Sequence, residues 1–125
     1  MRSRKNFERV LQKELEAAGH MVVRVAGSGV GPTAHCDLIM FPADINLPCL
    51  IEVKTTSQDK WVLKWQTASV KEEIASLKEQ AHKYGVRAIL ALKFMRRPWV
   101  FLDAEKVGAD FVMEKQTANG DFEFL

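Results

Sequence analysis

Nowhere in the chain do 18 apolar residues run together, so no helical membrane span is expected. The opening residues MRSRKNFERV carry no apolar segment, which argues against secretion and for a cytoplasmic protein. Cysteine is scarce. Cys36 and Cys49 lack the CxxC spacing of a zinc or redox pair, so they read as reduced thiols in or near the core. His35 with these two cysteines makes a poor zinc signal, because no two of the three have a paired spacing. With only His20, His35 and His82 present, no Ser-His-Asp or Cys-His grouping stands out. The loop GSGVG has no GK[ST] after it and runs into Pro32 and a strand, so it is not a nucleotide-binding loop. Repeats and low-complexity segments are absent as well.

What is present describes one globular domain over residues 1–125, with 47% hydrophobic and 27% charged residues. A chain of this length buries roughly two-thirds of its unfolded surface. The formal charge of +2 is uneven. Residues 1–97 hold 16 Lys/Arg against 10 Asp/Glu, and residues 98–125 hold 2 against 6. The basic share is densest at the start, in Arg2, Arg4, Lys5, Arg9 and Lys13. Such a balance fits a nucleic-acid surface and fits a solvated basic face equally well.

Helical spacing of Phe7, Val10, Leu11, Leu15 and Ala18 predicts a helix over 4–18, stopped by Gly19. MVVRVA (21–26) and CDLIMF (36–41) predict strands separated by a turn-rich loop. LIEVKTT (50–56) predicts a third strand, and WVLKW (61–65) a short extended piece. Val70, Ile74, Leu77, Ala81 and Tyr84 predict a second helix over 68–84 with Gly85 as its stop. RAILALKF (87–94) and WVFLD (99–103) complete the strands, and the last twenty residues are weakly patterned. The order predicts an α/β fold, a mixed sheet flanked by helices, with the strand near residue 50 at its centre.

That central strand poses the chemical question. Side chains alternate along it, so Leu50, Glu52 and Lys54 share one face and Ile51 and Val53 the other. A charge inside a sheet is costly unless paired or bound to a metal. If the strands opened by Asp37 and ended near Glu52 pair as a hairpin, the two carboxylates approach each other and repel. Mg²⁺ would resolve that repulsion through carboxylate oxygens, the Val53 carbonyl, water and phosphate. Lys54 would then lie near attacking water or developing phosphate charge. A plain Glu52–Lys54 ion pair on a half-exposed strand accounts for the same residues.

The D…E-x-K constellation, with a Glu-bearing helix before it, resembles the PD-(D/E)XK nuclease superfamily. In finer detail FERVLQKELEAAGHMVVRVAGSG, DLIMF, LIEVKTT, YGVRAILALKF and WVF, in that order over roughly residues 5–102, look like the archaeal-type Holliday junction resolvases. That resemblance implies a restriction-endonuclease-like mixed sheet, a homodimer, and Mg²⁺-dependent paired nicking of four-way DNA junctions, with Mn²⁺ as a substitute. It implies Asp37 and Glu52 as metal ligands, beside the Val53 carbonyl read from the strand itself, Lys54 as catalytic lysine, Glu8 as an additional active-site acid and Ser28 as a loop serine near the scissile phosphate. Arg9, Arg24 and Lys93 become DNA-facing cations by that resemblance, joined by Arg4 and Lys5 of the basic N-terminal cluster, and the protein is expected to be nucleoid-associated, or in the host cytoplasm if viral. Cys36 departs from the pattern by standing where the superfamily name has proline, and the stretch between Ser28 and Asp37 is longer than in close relatives. WVLKWQTASVKEE also differs where relatives open their second helix; Gln66 and Lys71 are both candidates for a polar residue assisting the site.

Two other readings compete. One is a restriction-like or repair nuclease acting on duplex, flap or mismatched DNA. The other is a non-catalytic junction-binding module of the same fold. Taken alone, Glu8 is an ordinary first-turn acid favoured by the helix dipole, and Trp61, Trp65 and Trp99 are core or interface residues before they are base-stacking ones.

Overall fold

The computed structural model describes residues 4–25, 36–44 and 46–122. Helix α1 (Arg4–Ala17) leads into β1 (Met21–Arg24), β2 (Leu38–Phe41), β3 (Cys49–Thr56) and β4 (Lys60–Val62). Helix α2 (Ala68–Tyr84) precedes β5 (Arg87–Phe94), β6 (Val100–Asp103) and β7 (Val112–Glu114). Five strands form one sheet in the order β1-β2-β3-β5-β6. β3 is central, antiparallel to β2 and parallel to β5. A parallel neighbour needs a crossover, and α2 supplies it.

The two faces of the sheet are covered by different helices. Phe7, Leu11 and Leu15 of α1 pack with Leu38, Met40, Ile51, Val53, Ile89 and Ala91. On the opposite face Ile74 of α2 packs with Leu90, Leu92 and Phe94, and Leu77 and Ala81 with Ala88. The period-two alternation expected on β3 is therefore realised: Ile51 and Val53 face α1, while Leu50 packs on the α2 side.

α2 spans the predicted 68–84. The Thr67 hydroxyl accepts from the Val70 N–H at 3.2 Å, and Gly85 closes the helix in the left-handed region at φ 66°. Two of the expected stripe residues do not serve the core. Ala18 falls past the end of α1 and is exposed, and Tyr84, on the last turn of α2, is 65% exposed because the chain leaves the helix there.

β2 begins at Leu38 rather than at the expected residue 36, because Asp37 uses its side chain as well as its backbone against β3. WVLKW divides into β4 and a 3₁₀ turn over Leu63–Trp65. The weakly patterned C-terminal stretch contributes β7, which pairs with β4 as a separate ribbon. Beyond it the chain returns to β6. Asp121 N–H donates to the Phe101 carbonyl at 2.7 Å, and a Cβ at Gly120 would stand only 2.5 Å from that oxygen, so only glycine fits. This covers an edge strand that would otherwise offer unpaired backbone groups.

Candidate active site

Among the described residues the buried polar or charged side chains are three acids: Glu8 (6% exposed), Asp37 (0%) and Glu52 (2%). They come from α1, from the residue just before β2 and from β3, and the connectivity brings them to one end of the sheet. α1 and β1 are joined by three residues and so run antiparallel. From Glu8 to the end of α1 is about 13 Å of helix rise, and β1 is about 10 Å long. Glu8 thus lies level with Arg24, at the far end of β1. Arg24 pairs with Leu38, next to Asp37, and Leu38 pairs with Ile51, next to Glu52.

Asp37 is held from two directions. Its N–H donates to the Ile51 carbonyl at 2.9 Å, and its carboxylate Oδ2 accepts from the Val53 N–H at 2.7 Å. The second bond satisfies a β3 donor that lies past the end of β2 and would otherwise be orphaned. Because a strand residue turns its N–H and C=O to the same edge, the Val53 carbonyl also leaves β3 on the Asp37 side.

Lys54 lies over the same face of β3 as Glu52. Its Nζ is 3.4 Å from Glu52 Oε1 and 2.7 Å from Glu73 Oε2 on α2. Burial first, then a hydrogen bond with Glu73 and the Asp37 charge, push the Glu52 carboxyl from 4.5 up to about 9; Lys54 only partly offsets this. Cys36, beside the site, is pushed up to about 12 by burial and by the Glu52 and Asp37 charges, so it stays a thiol and offers no nucleophile. Cys36 packs on the α2 side and Cys49 on the α1 side, so the two cannot share a zinc ion.

The donor set is all oxygen, from two buried carboxylates and a backbone carbonyl. It fits a hard divalent cation, which would replace the proton that Glu52 otherwise holds. Among the described residues no three His, Cys, Asp or Glu side chains gather into a metal cluster. Such a pair of carboxylates leaves the remaining positions to water and substrate phosphate, as Mg²⁺ chemistry prefers.

The expected cations are spread around this end. Arg9 is exposed on α1 and Arg24 half-buried. Lys93 is opposite Thr55 on β5, and alternation puts it on the α1 face, away from Lys54. It donates to the Arg97 carbonyl and lies 6.0 Å from the Trp99 ring centroid. Arg4 and Lys5 belong to the first turn of α1, with side chains outside the described residues. Ser28 also lies outside them.

Gln66 turns its amide to the Val62 carbonyl at 3.1 Å, and Lys71 is exposed. The α2 residue that reaches Lys54 is instead Glu73, which sequence reasoning missed. Its only sequence signal is its place one residue before the buried Ile74, in a helix that packs on the Lys54 face.

Residues 1–123 match the family model of the archaeal Holliday junction resolvases (Hjc). The chain is 34% identical over 99 residues to the crossover junction endodeoxyribonuclease Hjc of Archaeoglobus fulgidus, covering 79% of this chain and 67% of that protein. It also resembles the solved structure of Archaeoglobus fulgidus Hjc, a Holliday junction resolvase from an archaeal hyperthermophile. There the TM-score is 0.72 at 28% identity, over 95% of each chain. The mixed sheet is thus of the restriction-endonuclease-like kind expected from the sequence, and the family implies a divalent-metal requirement.

Proposed function

Because this chain belongs to the archaeal Holliday junction resolvase family, we propose that it resolves four-way DNA junctions by metal-dependent, paired phosphodiester hydrolysis. The observation that carries the reading is the buried acid set. A fold does not place Asp37 and Glu52 side by side out of water for stability, since replacing buried charge by apolar side chains is often neutral or better. Mg²⁺, with Mn²⁺ as a substitute, is the cation the oxygen donors suit, held by Asp37, Glu52 and the Val53 carbonyl. When bound, such an ion lowers the pKa of water and offsets charge on the phosphate.

The residues divide the remaining work. Asp37 is oriented by the Val53 N–H, so its second oxygen has a defined direction. Lys54 offers an ammonium to the charge that builds on the scissile phosphate. Glu8 adds carboxylate from the α1 side, and Ser28 is assigned to the loop near that phosphate. Arg4, Lys5, Arg9, Arg24 and Lys93 hold the DNA backbone, where contacts position without reading bases. The substrate's two-fold symmetry calls for two identical sites, so we assign a homodimer. The site of action is the cytoplasm, on nucleoid DNA.

The test compares an immobile four-way junction with linear duplex of the same sequence in Mg²⁺, using the parent protein and Glu52→Gln. Paired nicks in the junction alone are expected. Glu52→Gln should lose at least about a hundredfold in rate while still binding the junction. Equal cutting of linear duplex would make the protein a restriction-like or repair nuclease. Tight junction binding with no cutting by the parent would make it a binding module.

A further inference from the structure

We infer that Glu73 is the positioning residue for Lys54, reaching from α2 to fix the ammonium beside the reacting phosphate. The inference rests on the hydrolytic reading above and adds a residue from a different element to it. Lysine is a point charge on a flexible four-carbon stem, and a useful position requires that its rotamer be locked by neighbours. Glu52 holds it poorly. At 3.4 Å the Glu52 contact exceeds the 2.7–2.9 Å of a strong charge-assisted bond, whereas the 2.7 Å Glu73 contact meets it. Glu52 also has a second task, since its oxygens must serve the cation. Were Glu52 the sole anchor, committing it to the cation would release Lys54. Glu73, which also hydrogen-bonds Glu52 while that carboxyl holds its proton, keeps Lys54 in place once Glu52 serves the cation.

Glu73 is itself steadied. Ser69, one turn earlier on α2, has its Oγ 3.4 Å from Glu73 Oε1, the oxygen that does not bind Lys54. Ser69, Glu73 and Lys54 therefore form a line from the helix to the strand. The helix does not need this contact to dock. Ile74, Leu77 and Ala81 are all at most 2% exposed against the sheet, so the helix keeps its apolar anchor without the ion pair. A function-directed role and a structural one thus predict different outcomes.

The experiment measures single-turnover junction cleavage, junction Kd and melting temperature for the parent, E73A, E73Q, K54A and the K54A/E73A double variant. E73A should slow the chemical step by up to about a hundredfold, the usual effect of a misplaced catalytic group, with Kd unchanged and the protein still folded at the assay temperature. E73Q keeps an oxygen that accepts from Nζ and should recover part of the rate. The double variant should be no slower than K54A, because Glu73 acts through Lys54. E73A cutting at the parent's rate would overturn the inference, as would a double variant slower than K54A by the full E73A factor. Labelling of Lys54 by an amine-reactive reagent, read by mass spectrometry without DNA or metal, is independent of cleavage. Faster labelling in E73A than in the parent supports the inference, and equal labelling overturns it. Should the parent fail to cut junctions, the hydrolytic reading falls, and the labelling still decides whether Glu73 holds Lys54.

Discussion

A carboxyl group as enclosed as Glu52 must be neutral, paired or bound to a cation, and the pH decides which when metal is withheld. In the folded chain its pKa is raised from 4.5 to about 9 by burial, the Glu73 hydrogen bond and the Asp37 charge. The native state therefore keeps a proton that the unfolded chain has released throughout that window. The unfolded state binds fewer protons there, so stability falls as pH rises. This contribution is complete below pH 4.5 and lost as the pH passes about 9. Thermal melts of the metal-free protein should show a midpoint that declines across this range, with the decline reduced in Glu52→Gln, where nothing titrates. Mg²⁺ should raise the parent's midpoint most at the alkaline end, since it competes with that proton. A parent and a variant with parallel pH profiles would contradict the assignment. The acids at 37 and 52 were legible in the sequence because a strand periodicity exposes a misplaced charge. Glu73 was not, because on a half-buried helix face one more glutamate looks like any solvated residue.

At the scale of elements, α2 joins the core to the site, and its ends have separable roles. Thr67 caps the first turn through Val70, and Gly85 takes the left-handed conformation that lets Val86 N–H return to the Ala81 carbonyl at 3.0 Å. Thr67→Ala should cost about 1 kcal/mol, and Gly85→Ala about 1–2 kcal/mol from the strained φ, both read by denaturant unfolding. Glu73 is nearly two turns from Thr67 and more than three from Gly85, so junction cleavage under conditions where both variants stay folded should match the parent. α2, β3 and β5 were legible to within a residue: α2 from its helical period and Gly85, β3 from its alternation, and β5 from a short continuous apolar run. β7 was not. Its three residues, Val112–Glu114, are too short to show a period, and they form a strand only because β4 lies beside them.

For the whole molecule the two edges of the main sheet differ. The β6 edge is closed by residues 120–121, whereas β1 is an outer strand carrying exposed Met21 (59%) and Val23 (46%), with Phe41 (39%) paired to Met21 on the same sheet face. α2 does not extend over these side chains, and a second copy meeting there would cover them. Sedimentation should find the parent as a dimer and Phe41→Glu shifted toward monomer, with the two nicks no longer paired in time. A parent that sediments as a monomer while still making paired nicks would remove the symmetry argument.

The order of elements, the central place of β3 and the acid-acid-lysine set were determined by the sequence itself, because periodicity and the cost of a buried charge act locally. Which acid stands closest to Lys54, which tryptophan stays outside and which sheet edge the described residues leave uncovered were decided only by the tertiary structure. Trp61 and Trp99 are buried while Trp65 is 72% exposed, though all three are large aromatics beside short strands or turns. Those outcomes depend on how α2 and the C-terminal segment lie across the sheet, and contacts between residues distant in sequence leave no period to read.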